Sequence, residues 1–115
     1  MTTESFKPTE RTRLERNPRR GVYDKDLIYE VLDEALLCHV SLAVDGQPFV
    51  LPTIHTRVGD FLYLHGSNQN RMLNHIANGA TACVSITILD GLVLARSGLH
   101  HSMNYRSVVL FAQGE

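Results

Sequence analysis

The chain reads as a mainly β, α+β domain: six antiparallel strands with two or three helices, closing toward a barrel rather than a flat sheet. Three observations predict this. Apolar residues alternate or run together in short segments bounded by turn signals at Asp45-Gly46, Gly59-Asp60 and Asp90-Gly91. Helical spacing recurs in only two places, residues 24–36 and 67–77. The 115 residues suffice for one domain with a modest core and not for two.

Residues 1–22 carry two prolines, many charges and little apolar periodicity, so they read as a flexible basic N-terminal arm ahead of a domain over 23–115. Asp24 is the N-cap expected for a helix through about Leu36, with Leu27, Ile28, Val31, Leu32, Ala35 and Leu36 on its apolar face. Leu37–Val44 and Gln47–Thr56 follow as a hairpin around Asp45-Gly46. Pro48 and Pro52 lack amide donors, so the second strand lies at an edge, at a bulge or where the ladder opens. Phe61–Leu64 is the third strand. A helix runs from Ser67 or Asn68, either of which can cap it, to about Ala77, and Asn78-Gly79 stops it. Ala80–Leu89 pairs back with Leu92–Ala95 through a hairpin at Asp90-Gly91, and Asn104–Phe111 alternates as the sixth strand.

The totals restrict function. Hydrophobic content of 43% and charged content of 20% fit a soluble globular chain. No apolar run reaches the roughly 20 residues that span a bilayer. The N-terminus has no apolar signal-peptide core, which together with the two strand-embedded cysteines, Cys38 and Cys83, points to a cytoplasmic protein with reduced thiols. Residues 1–20 hold six basic and three acidic groups, whereas the remainder holds five basic and nine acidic. No aromatic interleaving or recognition motif follows the basic arm, so nucleic acid is not the expected partner.

The stretch FLYLHGSNQNR, Phe61 to Arg71, concentrates the chemistry. It is a strand that breaks at His65-Gly66-Ser67 and opens into a helix. Gly66 permits a tight turn or a close approach, helix-start amides and Arg71 suit an anion, and phosphate is the usual guest. The other reading is a plain strand-turn-helix with a solvated arginine. Beyond Asp60 the chain to Gly114 carries four charged residues: Arg71, Asp90, Arg96 and Arg106. A guanidinium beside apolar strands needs a partner, which Asp90 or a ligand phosphate can supply, unless it faces solvent. The six histidines show no metal-ligand spacing, and His100-His101 are adjacent rather than one helical turn apart, so no metal site is expected. Asp33 and Glu34 are consecutive on a helix and diverge. No nucleophile motif, P-loop or GxGxxG is present, so any difficult chemistry falls to a cofactor.

The runs DEALLCHVSLAVDGQPFVLPT, LYLHGSNQNRML and DGLVLARSGLHHSMNYRSVV resemble the flavin-nucleotide-binding proteins of the pyridoxamine 5′-phosphate oxidase-like superfamily, the FMN-binding split β-barrels, and within it the branch of the nitroimidazole-resistance (Nim) proteins. The resemblance implies a homodimer with FMN between subunits. It places Leu51, Pro52 and Thr53 along the flavin ring, Ser67 and Arg71 on its phosphate, and His65-Gly66 between them. His65 takes a catalytic or substrate-side role, and Ser102, Asn104 and Arg106 supply contacts from the partner subunit. The activity implied is an NAD(P)H-linked, FMN-dependent oxidoreductase acting, nitroreductase-like, on small electron-poor substrates. The alternatives are a non-catalytic flavin- or small-molecule-binding or regulatory module, and a split barrel using haem or a deazaflavin. The Arg-to-Lys run with which true pyridoxamine phosphate oxidases hold FMN is replaced by PFVLPT, which argues against vitamin B6 oxidation. Relatives continue past Phe111, so an incomplete barrel is expected.

Overall fold

The computed structural model describes residues 5–16, 18–98 and 101–115. His100 of the histidine pair and the first four residues of the basic arm lie outside them. A short 3₁₀ turn (Pro18–Arg20) leads to α1 (Lys25–Glu34), β1 (Leu37–Val44), β2 (Gln47–Val58), β3 (Phe61–Leu64), α2 (Arg71–Ala77), β4 (Thr81–Val93) and β5 (Ser102–Gln113). The strands form one antiparallel sheet in the order β3-β2-β1-β4-β5. β3 and β5 do not meet, so the sheet is an open, incomplete split barrel. Among the described residues no helix is long and apolar enough to cross a membrane.

Local signals set most element ends. The Asp24 carboxylate accepts a hydrogen bond from the Leu27 amide at 3.1 Å and starts α1. α1 stops at Glu34, two residues earlier than its periodicity suggests, because Ala35 is already extended. Asp45 and Gly46 both have positive φ, 51° and 80°, the geometry of the tight hairpin turn that pairs Val44 with Gln47. The six-strand expectation is corrected to five at Asp90-Gly91. A two-residue hairpin there needs positive φ, which Gly91 lacks. β4 instead runs through with a register shift between Leu89 and Gly91, and every residue of it except Asp90 pairs with β5.

The core lies on one face of the sheet. Val31 and Leu32 of α1 pack on Cys38 and Val40 of β1 and on Ala82, Val84 and Ile86 of β4. Leu62, Leu64, Ile76, Val108 and Leu110 border it. Burial of each of Val40, Val84 and Ile86 stabilises the fold by roughly 1.5–3 kcal/mol. The two cysteines are free. Cys38 faces the core and Cys83 pairs with Ser41 on the opposite face, so strand alternation keeps the thiols apart. Burial pushes the Cys38 thiol above its ordinary pKa.

The described part of the N-terminal segment folds back on the domain. The Phe6 amide donates to the Tyr23 carbonyl at 2.7 Å, and the Tyr23 hydroxyl donates to the Thr12 carbonyl at 2.7 Å. Phe6 meets Tyr29 edge-on, and the Arg11 guanidinium sits 4.4 Å over the Phe111 ring.

Candidate functional site: the second strand and the turn after the third

β2 changes partner along its length. Residues 47–54 pair with β1, and residues 55–58 pair with β3. Backbone groups of alternate residues point to opposite sides of an antiparallel strand. The Ile54 carbonyl accepts the His65 amide at 3.0 Å on the β3 side. Even-numbered residues of β2 therefore face that side, and Pro48 and Pro52, at even positions, withdraw no donor from the β1 ladder. The expectation that Pro52 marks an edge holds: over residues 48–52 the open side of β2 has a single amide, that of Val50.

The turn 65–70 is fastened to this strand. The His65 carbonyl accepts a hydrogen bond from the Thr53 hydroxyl, and Thr53 is buried. With the His65 amide on Ile54, both backbone groups of His65 are held by consecutive β2 residues. The structure thereby brings Thr53 against His65, with Leu51 and Pro52 preceding it on the same strand and Gly66 and Ser67 following His65 in the turn.

Two expectations for this turn are corrected. The helix cap is Asn70 rather than Ser67 or Asn68: its side chain accepts from the amides of Met72 and Leu73 at 3.0 and 3.1 Å. Those amides are consequently not offered to a ligand. Ser67 instead makes a local turn, its hydroxyl accepting from the Gln69 amide at 3.1 Å. Gly66 does not take the left-handed region. A Cβ there would lie 2.0 Å from Cδ1 of Leu73, so that side chain would have to swing away to admit one.

Arg71 is the first residue of α2, where the helix dipole disfavours a cation. Its guanidinium stands 5.6 Å from the centre of the Phe49 ring of β2, and among the described residues it has no carboxylate partner. The amides of Gly66, Ser67, Asn68 and Arg71 likewise have no hydrogen-bond partner among the described residues. One exposed cation and four open donors thus share a single turn. This set fits the phosphate of a nucleotide, a group needing several donors and a positive charge. Phe49, which seats Arg71, and Asn70, which caps the helix, were not singled out by sequence; Asn70 was hidden by two equally good caps just before it.

The second group lies elsewhere. Ser102, Asn104 and Arg106 start β5, which is separated from β2 by β1 and β4. Three strand spacings make that about 14 Å, so one chain does not bring these residues to the turn. Arg106 is engaged on its own side. Its Nε and Nη2 donate to the Asp90 carboxylate, both at 3.0 Å, and Nη1 and Nη2 donate to Glu34 at 2.6 and 3.1 Å. Its partner is therefore protein, and Asp90 is one of the two carboxylates. Arg106 holds both carboxyls below their ordinary values, and they raise its own pKa further. Asp33 and Glu34 diverge as expected, Asp33 forming a two-pronged pair with Arg57 at 2.8 and 2.7 Å. Nδ1 of His101 accepts from the Ala95 amide at 2.9 Å.

Residues 24–115 match the family model described as pyridoxamine 5′-phosphate oxidase. Two solved structures are similar. One is the FAD and heme binding protein from Mycobacterium smegmatis, 42% identical over 78% of this chain and 44% of that one, with a TM-score of 0.73. The other is the flavocytochrome Anf3 from Azotobacter vinelandii, 36% identical over 91% of this chain and 49% of that one, with a TM-score of 0.80. The chain spans somewhat under half the length of each. No curated protein matches it. The match runs from the N-cap of α1 through the last strand of the sheet, and this chain is a member of the pyridoxamine 5′-phosphate oxidase family.

Proposed function

We propose that the chain is a flavin-nucleotide-binding module, with FMN as the expected cofactor, of an NAD(P)H-linked oxidoreductase that acts on small electron-poor substrates. The observation that carries the reading is the turn 65–71. It is tied to β2 through both backbone groups of His65, and it presents Arg71 without a carboxylate partner among the described residues. In this reading Arg71, the Ser67 hydroxyl and the open amides bind the phosphate. Leu51, Pro52 and Thr53 orient the ring along a strand edge that two prolines keep free of another strand. A bound flavin supplies hydride acceptance and donation. The exposed His65 ring lies at the junction of ring and phosphate, where it donates a hydrogen bond to the substrate side. A second copy of the chain completes the pocket, and its Ser102 and Asn104 are the residues offered from across the interface. Arg106 takes that part only by releasing Glu34 and Asp90.

The two similar structures, one an FAD and heme binding protein and the other a flavocytochrome, favour a second reading in which haem joins or replaces the flavin. The visible spectrum of the purified protein reconstituted with FMN, FAD or haemin separates these. Flavin bands that bleach on mixing with NADPH support the first reading. A Soret band alone supports the second. A flavin that binds and stays oxidised leaves a binding module without reductase activity. Replacing Arg71 with Ala is expected to weaken flavin-nucleotide binding by about 1.5–3 kcal/mol, the range for a hydrogen bond to a charged group. An unchanged affinity removes Arg71 from the site.

A further inference from the structure

The arginines of β2, α2 and β5 are held in different ways. Arg57 of β2 stands 4.2 Å from the centre of the Tyr29 ring, but its guanidinium donors are taken: Nε and Nη2 by Asp33, and Nη1 by the Gly59 carbonyl at 2.7 Å. Arg106 of β5 divides its donors between Glu34 and Asp90. Arg71 of α2 has the Phe49 ring, whose centre lies 5.6 Å from its Cζ. Among the described residues no carboxylate or carbonyl takes its donors.

The kind of contact matters. An aromatic ring attracts a guanidinium through its π face and leaves the charge in place. A carboxylate would instead occupy the N–H fork and cancel the charge. Phe49 therefore restrains Arg71 and keeps it cationic, with its donors open to an anion. The ring itself is well anchored. Phe49 is half-buried, on the face of β2 that also carries Leu51 and Thr53, and it lies directly opposite the buried Leu42 of β1. From the other side, the Asn70 cap fixes the helix start from which Arg71 projects. A long arginine side chain loses rotamer freedom when it grips a ligand, and a seat that already limits that freedom lessens the loss on binding.

We infer that Phe49 is the positioning residue of Arg71. It holds the arginine at the turn 65–71 without neutralising it, and so sets the preference of the site for a phosphorylated flavin over the bare flavin. The inference rests on the reading of this turn as the phosphate site, and it adds a residue 22 positions earlier in the chain that touches the phosphate only through Arg71.

The test is fluorescence titration of the whole 115-residue chain with FMN and with riboflavin, which has the same ring system and no phosphate. The parent should bind FMN more tightly. Phe49→Leu keeps apolar bulk and removes the π face. It should raise the FMN dissociation constant roughly two- to fivefold, the size of an exposed cation–ring contact, and leave that of riboflavin unchanged. Phe49→Tyr keeps the face and should retain the parent values for both. In an Arg71→Ala background, Phe49→Leu should have no further effect on FMN, as expected of two residues acting through one contact. If Phe49→Leu loses its far-ultraviolet circular dichroism, Phe49→Met decides. An FMN affinity unchanged in the folded variant overturns the inference, as does an equal loss for FMN and riboflavin, or a loss that persists without Arg71. A parent that binds both flavins equally, or neither, overturns the phosphate reading and this inference together. A parent that prefers FMN while Phe49→Leu matches it overturns only the role of Phe49.

Discussion

Replacing Thr53 with Val tests whether the turn that carries the site is held from β2. The substitution keeps size and β-branching and removes one hydroxyl. In the native chain that hydroxyl donates to the His65 carbonyl, and Thr53 is 8% exposed. The carbonyl loses its partner at a part-buried place. A net hydrogen bond is worth about 0.5–1.5 kcal/mol, and a buried polar group left unsatisfied costs about 1–3 kcal/mol. An expected loss of about 1.5 kcal/mol lowers the urea midpoint by roughly 1 M at a slope of about 1.5 kcal/mol/M. Thr53→Ser keeps the hydroxyl and should recover most of this, whereas Thr56→Val, exposed on the same strand, should stay within about 0.5 kcal/mol of the parent. Flavin-nucleotide affinity should fall in Thr53→Val and persist in Thr53→Ser, because the turn is then anchored only through the His65 amide. Equal midpoints for Thr53→Val and the parent would refute the reasoning.

Three further outcomes follow from the packing. A Cβ at Gly114 would lie 1.7 Å from the Ile76 carbonyl oxygen, which is backbone and cannot swing away. Gly114→Ala should cost about 1–3 kcal/mol or more in thermal or urea unfolding, while Gly98→Ala, with open space around it, changes little. His55 is buried, and its Nε2 lies 2.8 Å from the carbonyl of Leu32, one of the last carbonyls of α1. The Nε2–H donates to it, and His55→Leu should cost about 1–3 kcal/mol and speed exchange in the last turn of α1. Arg106 depresses the carboxyls of Glu34 and Asp90, so its contribution is complete above their ordinary values of 4.5 and 3.8 and is lost as pH falls through the lower folded values. The midpoint gap between the parent and Arg106→Met should therefore narrow as pH falls below about 4, and a gap independent of pH down to about 2 would remove these pairs as its cause.

Sequence made the local events legible. Asp45-Gly46 makes its hairpin because both residues tolerate positive φ and the flanking residues alternate. Asp24 and Gly79 mark helix ends through chemistry contained within a few residues. Asp90-Gly91 carries the same turn chemistry and fails to turn. The Asp90 carboxylate is drawn to Arg106, sixteen residues away, and the strand on either side pairs with β5. At the site, sequence picked out the glycine, the serine and the arginine. It did not foresee that Leu73 of the helix that follows packs against Gly66, and it passed over Asn70 because three nearby residues could each serve as the cap.

By itself the sequence determined the family, the antiparallel order of the first three strands, and the concentration of polar chemistry between His65 and Arg71. These depend on spacing and turn preferences that act over a few residues. Only the tertiary structure decided that Thr53 holds His65 and that Arg106 is already paired with two carboxylates. Each of those outcomes joins residues distant along the chain, and which partner such a group finds is settled by how strands and helices stack.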